Sequence, residues 1–290
     1  MIEVVLGIIG GSGLYDMPGL DGTWEAIDSP WGTPSDAVLR GRLEGTRVVF
    51  LPRHGRGHVL DPTSINYRAN VDVMKRAGVT DLVSLSACGS LREDLSPGTF
   101  VIVDQFIDRT FARAKTFFGT GCVAHVSMAH PVSRDLGDRL EAAAEAVSVP
   151  LHRGGTYLAM EGPQFSSLAE SHLYRRWGAD VIGMTNMPEA KLAREAEIAY
   201  ATVAMVTDFD SWHPDHGEVD ITDILATMRA NSSAAQALVR ALAAGTPDVR
   251  EPCSFGSDTA LEHAIITAPE ARDPALLAKL AAVAGRVLHR

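Results

Sequence analysis

At 290 residues, 46% hydrophobic and 21% charged, the chain has the size and balance of a soluble globular protein of one large domain or two modest ones. Its 26 basic and 36 acidic side chains give a net charge of −10, which disfavours nucleic acid and anionic membranes as partners. Any anion must therefore be held by local groups working against the overall field.

Met1-Ile2-Glu3-Val4-Val5 has no basic leader region, and no apolar run approaches membrane-spanning length. Cys88, Cys122 and Cys253 are unevenly spread with no metal spacing, which fits a reducing, cytoplasmic setting. Val4 to Ile9 reads as a buried strand running into Gly10-Gly11-Ser12-Gly13, either an anion nest of bare backbone amides or a plain turn. A dinucleotide fingerprint starting at Gly11 would need glycine where Asp16 stands, and no Gly-Lys-Ser/Thr of a P-loop follows. Thr46 to Leu51 reads as a second strand, followed by Pro52-Arg53-His54-Gly55. Thr63 to Ala77 reads as a helix stopped by Gly78, and Asp81 to Ser86 as a strand running into Ala87-Cys88-Gly89-Ser90. Taken singly, Arg53 and His54 read more readily as a solvated arginine and a hydrogen-bonded loop histidine than as site residues. What argues for a site is that polar or glycine residues follow each strand end.

Phe100 to Phe106 is a further strand, Arg113 to Val123 a loop near the site, and Leu136 to Val147 an alanine-rich helix. Ser167 with Glu170 forms a capping box for the next helix, and Gly178 stops it. Ala179 to Met184 is a short strand, and Pro188 opens a helix whose Lys191 and Glu195 are spaced to pair on its surface. Tyr200 to Val206 is apolar throughout, as in a strand covered on both faces. Strand, helix and strand in this order predict a right-handed crossover between parallel strands. That puts Met184 and Thr185 at the same sheet edge as Asp208 and Asp210, where such sheets bind ligands. Trp212-His213-Pro214-Asp215-His216-Gly217 reads as a mobile loop, its proline and glycine arguing for a turn rather than a metal site, and no metal is expected. Asp223 to Ala243 and Pro274 to Leu288 are helices, the last apolar enough to pack on a core or on a neighbouring subunit. The fold class is α/β: one domain over residues 1–290, a central, largely parallel mixed sheet flanked by helices.

Gly7-Ile8-Ile9-Gly10-Gly11-Ser12-Gly13-Leu14, Pro52-Arg53-His54-Gly55, Asn66-Tyr67-Arg68-Ala69-Asn70, Ser86-Ala87-Cys88-Gly89-Ser90-Leu91-Arg92, Asp104 through Thr110, Glu161-Gly162-Pro163 and Thr207-Asp208-Phe209-Asp210 occur in that order. In these motifs, from about Gly7 to about Ala243, the chain resembles the trimeric purine nucleoside phosphorylase family, most closely its 5′-methylthioadenosine-cleaving members. The resemblance implies cleavage of a nucleoside by inorganic phosphate as co-substrate, with no other cofactor, in a cytoplasmic homotrimer serving purine and methionine salvage. It gives phosphate to Ser12, Arg53, His54, Ser86, the Ala87 amide and Thr185. It puts Met184 beneath the ribose and Phe165 and Ser166 beside the base. His125 would reach the adjacent subunit's site, Ile221 and Ile224 would line the methylthio pocket, and residues 251–290 would pack at a subunit interface. Asn186 stands where a second threonine is common and receives no role.

The residue types suit that chemistry. Breaking an N-glycosidic bond builds positive charge on the sugar and negative charge on the leaving base, so an anion beside the sugar and a proton for the base both help. Arg53 offers a planar fork to phosphate, and nest amides donate without reorganising. Asp208, against apolar walls and two residues from Asp210, is predicted to keep its proton and act as the acid. A protonated aspartate donates to N7 while accepting from a 6-amino group, which favours adenine; 6-oxopurine enzymes of the family carry asparagine at Asp208 and glutamate at Ser166. A methylthioinosine or general purine nucleoside phosphorylase, a dinucleotide-binding oxidoreductase and a non-catalytic nucleoside binder are the competing readings.

Overall fold

Alternate residues along the central strands point to two different cores, and this places the helices. In the computed structural model, which describes residues 1–11, 17–214 and 221–288, the chain begins with β1 (Ile2–Glu3), β2 (Leu6–Gly10), β3 (Asp21–Glu25), β4 (Val38–Leu43) and β5 (Thr46–Pro52). Then come α1 (Tyr67–Arg76), β6 (Asp81–Ser90), β7 (Phe100–Ile102), β8 (Gln105–Asp108), α2 (Arg134–Ala146), β9 (Leu151–Arg153) and β10 (Thr156–Ala159). The chain continues through α3 (Leu168–Arg176), β11 (Val181–Gly183), α4 (Asn186–Glu195), β12 (Ala199–Asp208), α5 (Ile221–Gly245), β13 (Val249–Arg250) and α6 (Pro274–Leu288). Ile9, Val49, Leu51 and Leu82 pack with α1, α4 and α6, whereas Ile8, Val48, Phe50 and Val83 pack with α2 and α5. Because successive strand residues face opposite sides, this is one sheet with helices on both faces, the expected α/β class.

The main sheet has 11 strands. Parallel pairings (β2 with β5 and β6, β12 with β6, β10 with β8 and β11, β7 with β9) outnumber antiparallel ones (β3 with β4, β4 with β5, β11 with β6, β12 with β7). The pairings of β6 position the site. β12 covers one edge of it, from Ala199↔Asp81 to Asp208↔Gly89. On the other edge β2 runs parallel as far as Ile9↔Ser84, and β11 comes from the opposite end, antiparallel, through Val181↔Ser90 and Ile182↔Gly89. The two short strands abut end-on. Leu85, Ser86, Ala87 and Cys88 lie in the gap between them, with no strand partner on that edge among the described residues.

This corrects the crossover. β11 and β12 flank β6 on opposite edges and run in opposite directions, so the strand–helix–strand unit is not a parallel one. The direction of the three-residue β11 is set by its parallel partner β10, from Tyr157↔Val181 to Ala159↔Gly183. The Lys191–Glu195 surface pair is also replaced. Nearly all of α4 is buried; Lys191 pairs with Asp108, while Glu195 accepts from the Thr116 hydroxyl and the Phe117 N–H, both at 2.7 Å. Burial pushes the Glu195 carboxyl up to about 7. Two boundaries shift as well. α1 starts at Tyr67 because Asn66, not Thr63, accepts the capping N–H of Ala69, and β6 continues as strand through Ala87–Ser90. The expected strand from Phe100 to Phe106 is two, β7 and β8.

The Ser167–Glu170 capping box, the stop at Gly178 (φ 79°) and the bounds of α6 are as read. α6 buries Leu280, Val283 and Ala284 in the chain's own core, beside α1.

Candidate active site

Arg53 borders the gap along β6. β5 delivers it at Pro52, where the Arg53 N–H bonds the Gly10 carbonyl at 2.9 Å, and its head turns inward rather than to solvent. Nε donates to Glu189 Oε2 at 2.9 Å, Nη1 to the Leu85 carbonyl at 3.0 Å, and Nη2 reaches Ser84 Oγ and the Ile9 carbonyl. The Arg53 and Glu189 side chains are 1% and 2% exposed. The planar fork anticipated for phosphate is thus taken by Glu189, and one Nη1 hydrogen lacks an acceptor among the described residues. Glu189 is itself held by the Tyr200 hydroxyl at 2.9 Å; Asn186 donates to Tyr200 and Thr202, and accepts from the Ser86 hydroxyl at 3.0 Å. Asn186, given no role from the sequence, ties the Ser86 end of the gap to the Arg53 end.

A cavity of about 240 Å³ opens from this gap, the scale of a small ligand rather than a polymer. Arg53, His54, Ser86, Ala87, Phe165, Met184, Thr185, Asp208 and Asp210, nine of the residues singled out above, line it together. Ser12 lies outside the described residues, as do the side chains of Ile221 and Ile224 and the 215–217 part of the anticipated loop. α5 nevertheless contributes Met228 and Asn231 to the cavity wall. Ser166 is buried just behind the wall, its Oγ 3.7 Å from Met160 Sδ and its carbonyl accepting from Ser211 at 2.7 Å. His125 is exposed and lies outside the lining of this cavity, on the strip that pairs with Ala264 and Ile265.

The two ends of the cavity differ chemically. At the gap end, Thr185 begins α4 without capping it, and its buried hydroxyl has no partner among the described residues. A buried, unpaired hydroxyl is costly unless a ligand meets it. His54 holds the Leu60 carbonyl through Nδ1 at 2.8 Å, so Nδ1 carries the hydrogen and Nε2 is the ring atom left for a ligand. Burial, with the Arg53 charge beside it, pushes His54 down to about 4, and it is neutral near pH 7. At the far end, burial raises both Asp208 and Asp210 above the usual carboxylate range. Asp208 Oδ1 accepts the Asp210 N–H at 2.8 Å, a bond made possible by the left-handed backbone of Asp210 (φ 50°). Asp210 Oδ2 is buried with no partner among the described residues. Gly89 permits this crowding: a Cβ there would lie 2.9 Å from Asp208 Oδ1.

The chain matches the phosphorylase superfamily model over residues 5–244. It belongs to the phosphorylase superfamily. Within this superfamily it is 64% identical over 288 residues to the S-methyl-5′-thioadenosine phosphorylase of Cereibacter sphaeroides, covering 99% of each chain. It is 65% identical over 290 residues to that of Bradyrhizobium diazoefficiens, covering all of both. Among solved structures, a methylthioadenosine phosphorylase from an antarctic soil metagenomic library superposes with a TM-score of 0.91 at 46% identity, over 98% of this chain and 99% of that one. The Schistosoma mansoni methylthioadenosine phosphorylase in complex with adenine gives 0.80 at 36% identity, over 83% and 91%.

Two side chains escaped the sequence reading. His58 lines the cavity with its ring stacked on His54, centroids 4.2 Å apart; its spacing in His54-Gly55-Arg56-Gly57-His58 was the available signal. Arg113 lies in the loop expected near the site, bonds Glu161 at 3.0 Å and donates to the carbonyls of Met184 and Met187. It clamps the segment that carries Thr185.

Removing one partner of a buried ion pair leaves an uncompensated charge, so Glu189→Gln is expected to destabilise the fold by about 3–5 kcal/mol in urea unfolding. Asp138→Asn, at an exposed pair with Arg153, should cost under about 1 kcal/mol. A Glu189→Gln loss as small as that of Asp138→Asn would contradict the role given to this pair.

Proposed function

We propose that this chain catalyses phosphorolysis of S-methyl-5′-thioadenosine, giving adenine and 5-methylthioribose-1-phosphate for salvage of purine and methionine in the cytoplasm. The observation that carries the reading is one cavity with a buried Thr185 hydroxyl, unpaired among the described residues, at one end and two carboxyls raised by burial above the usual carboxylate range at the other. The relatives' activity on methylthioadenosine supports the same substrate.

In this mechanism phosphate sits in the β6 gap, where Ser86, Ala87, Thr185, His54 and the remaining Arg53 N–H surround it, with Ser12 from the glycine turn. An oxygen of phosphate forms the bond to C1′ as the bond from C1′ to N9 breaks, and the electron pair of that bond passes into the purine. Asp208 delivers its proton to N7, while carboxyl oxygens of Asp208 and Asp210 accept from the 6-amino group. Met184 lies against the ribose, Phe165 beside the base and Ser166 just behind it; the family resemblance assigns the 5′-thio end to Ile221 and Ile224, whose side chains lie outside the described residues. Fixed donors in a water-poor cavity stabilise developing charge without reorganising.

The test is kcat/KM for methylthioadenosine, methylthioinosine, adenosine and inosine, with and without phosphate, in wild type and Asp208→Asn. Wild type should require phosphate and favour methylthioadenosine. Asparagine keeps a donor but has no transferable proton, so the variant should lose about 10²–10⁴ on methylthioadenosine and less on methylthioinosine. Phosphate-independent turnover would overturn the reaction; an unchanged ratio between the two substrates would overturn the base-reading role of Asp208.

We further propose a homotrimer in which the exposed His125 reaches a neighbour's cavity and the 251–290 segment lies at the contact. Sedimentation equilibrium should give the mass of three chains, and a fully active monomer would exclude it.

A further inference from the structure

The last residue pairs of β12 do not keep step with β6. Val206 pairs with Cys88 and Asp208 with Gly89, so Thr207 is an extra residue in the ladder. A bulge of this kind re-aims side chains, and here neighbours that would point to opposite faces of a regular strand come together. The Thr207 hydroxyl lies 2.7 Å from Asp208 Oδ2 and 3.1 Å from the Cys88 carbonyl.

A hydroxyl has one hydrogen. The Cys88 carbonyl only accepts, so a hydrogen spent there is not available to the carboxyl. Both short contacts are then full two-centre hydrogen bonds only if Asp208 itself supplies the second hydrogen, from Oδ2 to Thr207 Oγ1. Oδ1 is already engaged with the Asp210 N–H at 2.8 Å, which leaves Oδ2 as the oxygen that carries the proton.

We propose that Thr207 is a positioning residue that parks the acid proton on Asp208 Oδ2, by accepting it on Oγ1 while donating its own hydrogen to the Cys88 carbonyl. This rests on the general-acid reading of Asp208. When the nucleoside enters, the Oδ2–H turns from Thr207 to N7; the O–H bond breaks as N7–H forms, and the carboxylate later recovers a proton from solvent. The groups packed around Asp208 favour the neutral form. The titratable ones are the buried Cys88 thiol on β6 and the Asp210 carboxyl; Ile182 on β11 is apolar, and Asn231 on α5 is neutral. The charged or basic side chains lining the cavity, Arg53, His54 and His58, belong to the stretch just after β5 that borders the gap end.

The alternative is that Thr207 donates to an ionised Asp208, and the two arrangements respond oppositely to removing the hydroxyl. Thr207→Val keeps the β-branched shape of the bulge. Losing an acceptor from the acid lowers the Asp208 titration, whereas losing a donor to the carboxylate raises it. The measurement is the titration of the Asp208 carboxyl carbon by ¹³C NMR in ligand-free enzyme, identified by its absence in Asp208→Asn, alongside the basic limb of the pH–kcat/KM profile. The expected result is a move of both to lower pH in Thr207→Val, with activity at the midpoint of the wild-type limb falling about threefold, and restoration in Thr207→Ser. A titration that rises or stays fixed in Thr207→Val overturns the proposal. The NMR arm needs no turnover, so it decides the proton's placement even if Asp208 proves not to be the acid.

Discussion

A guanidinium sealed from water must be neutralised and have its hydrogens accepted, or the fold around it does not close. Arg53 meets that requirement, but for one Nη1 hydrogen, beside the gap where β2 and β11 abut along β6, and the pieces of the site are ordered around it. Its acceptors are the carbonyls of Ile9 and Leu85, the Ser84 hydroxyl and the Glu189 carboxylate, so one side chain bridges β2, β6 and α4. Glu189 passes the constraint on through Tyr200 to Asn186 and from there to Ser86. Thr185, one residue before Asn186, is fixed by the same helix start and by the Arg113 clamp on Met184. The gap stays open because this network satisfies its polar edges from within the protein, leaving few donors for a ligand to complete.

The consequence is electrostatic. Glu189 offsets the Arg53 charge and His54 is neutral, so the proposed anion site does not act as a pool of positive charge in a protein of net charge −10. Binding there depends on placed hydrogen bonds in a low-dielectric setting, where each is stronger than in water. The same dry setting raises Asp208 and Asp210 at the opposite end. One degree of burial thus serves both halves of the reaction.

Much of this was legible locally. The apolar runs of β2, β5, β6 and β12, the capping box at Ser167, the stop at Gly178 and the extent of α6 follow from residue period and punctuation. So did six polar residues at or near strand ends, Arg53, His54, Ser86, Thr185, Asp208 and Asp210, which meet in one cavity. What was not legible depends on partners far away in sequence. Glu189 is 136 positions from Arg53, and no local pattern announces that the arginine's fork is already taken. The direction of β11 comes from pairing with β10, because three residues carry too little pattern to specify it. Lys191 and Glu195 have the spacing of a surface pair, but a helix covered on nearly every side turns each to a different partner. The bulge at Thr207 was invisible for the same reason: it is a mismatch between two strands, not a feature of either.

The central claim is that the gap between β2 and β11 is the phosphate site and that the cavity beyond it holds the nucleoside with its base at Asp208. The most direct measurement is a crystal structure with phosphate and a non-cleavable methylthioadenosine analogue bound together. The account predicts one anion in the gap, within hydrogen-bond reach of the Thr185 hydroxyl, the Ala87 N–H and His54 Nε2, with Arg53 still paired to Glu189 and the purine N7 beside Asp208 Oδ2. An anion seated instead on the surface arginines Arg92, Arg175 and Arg176, or a purine turned away from Asp208, would contradict it.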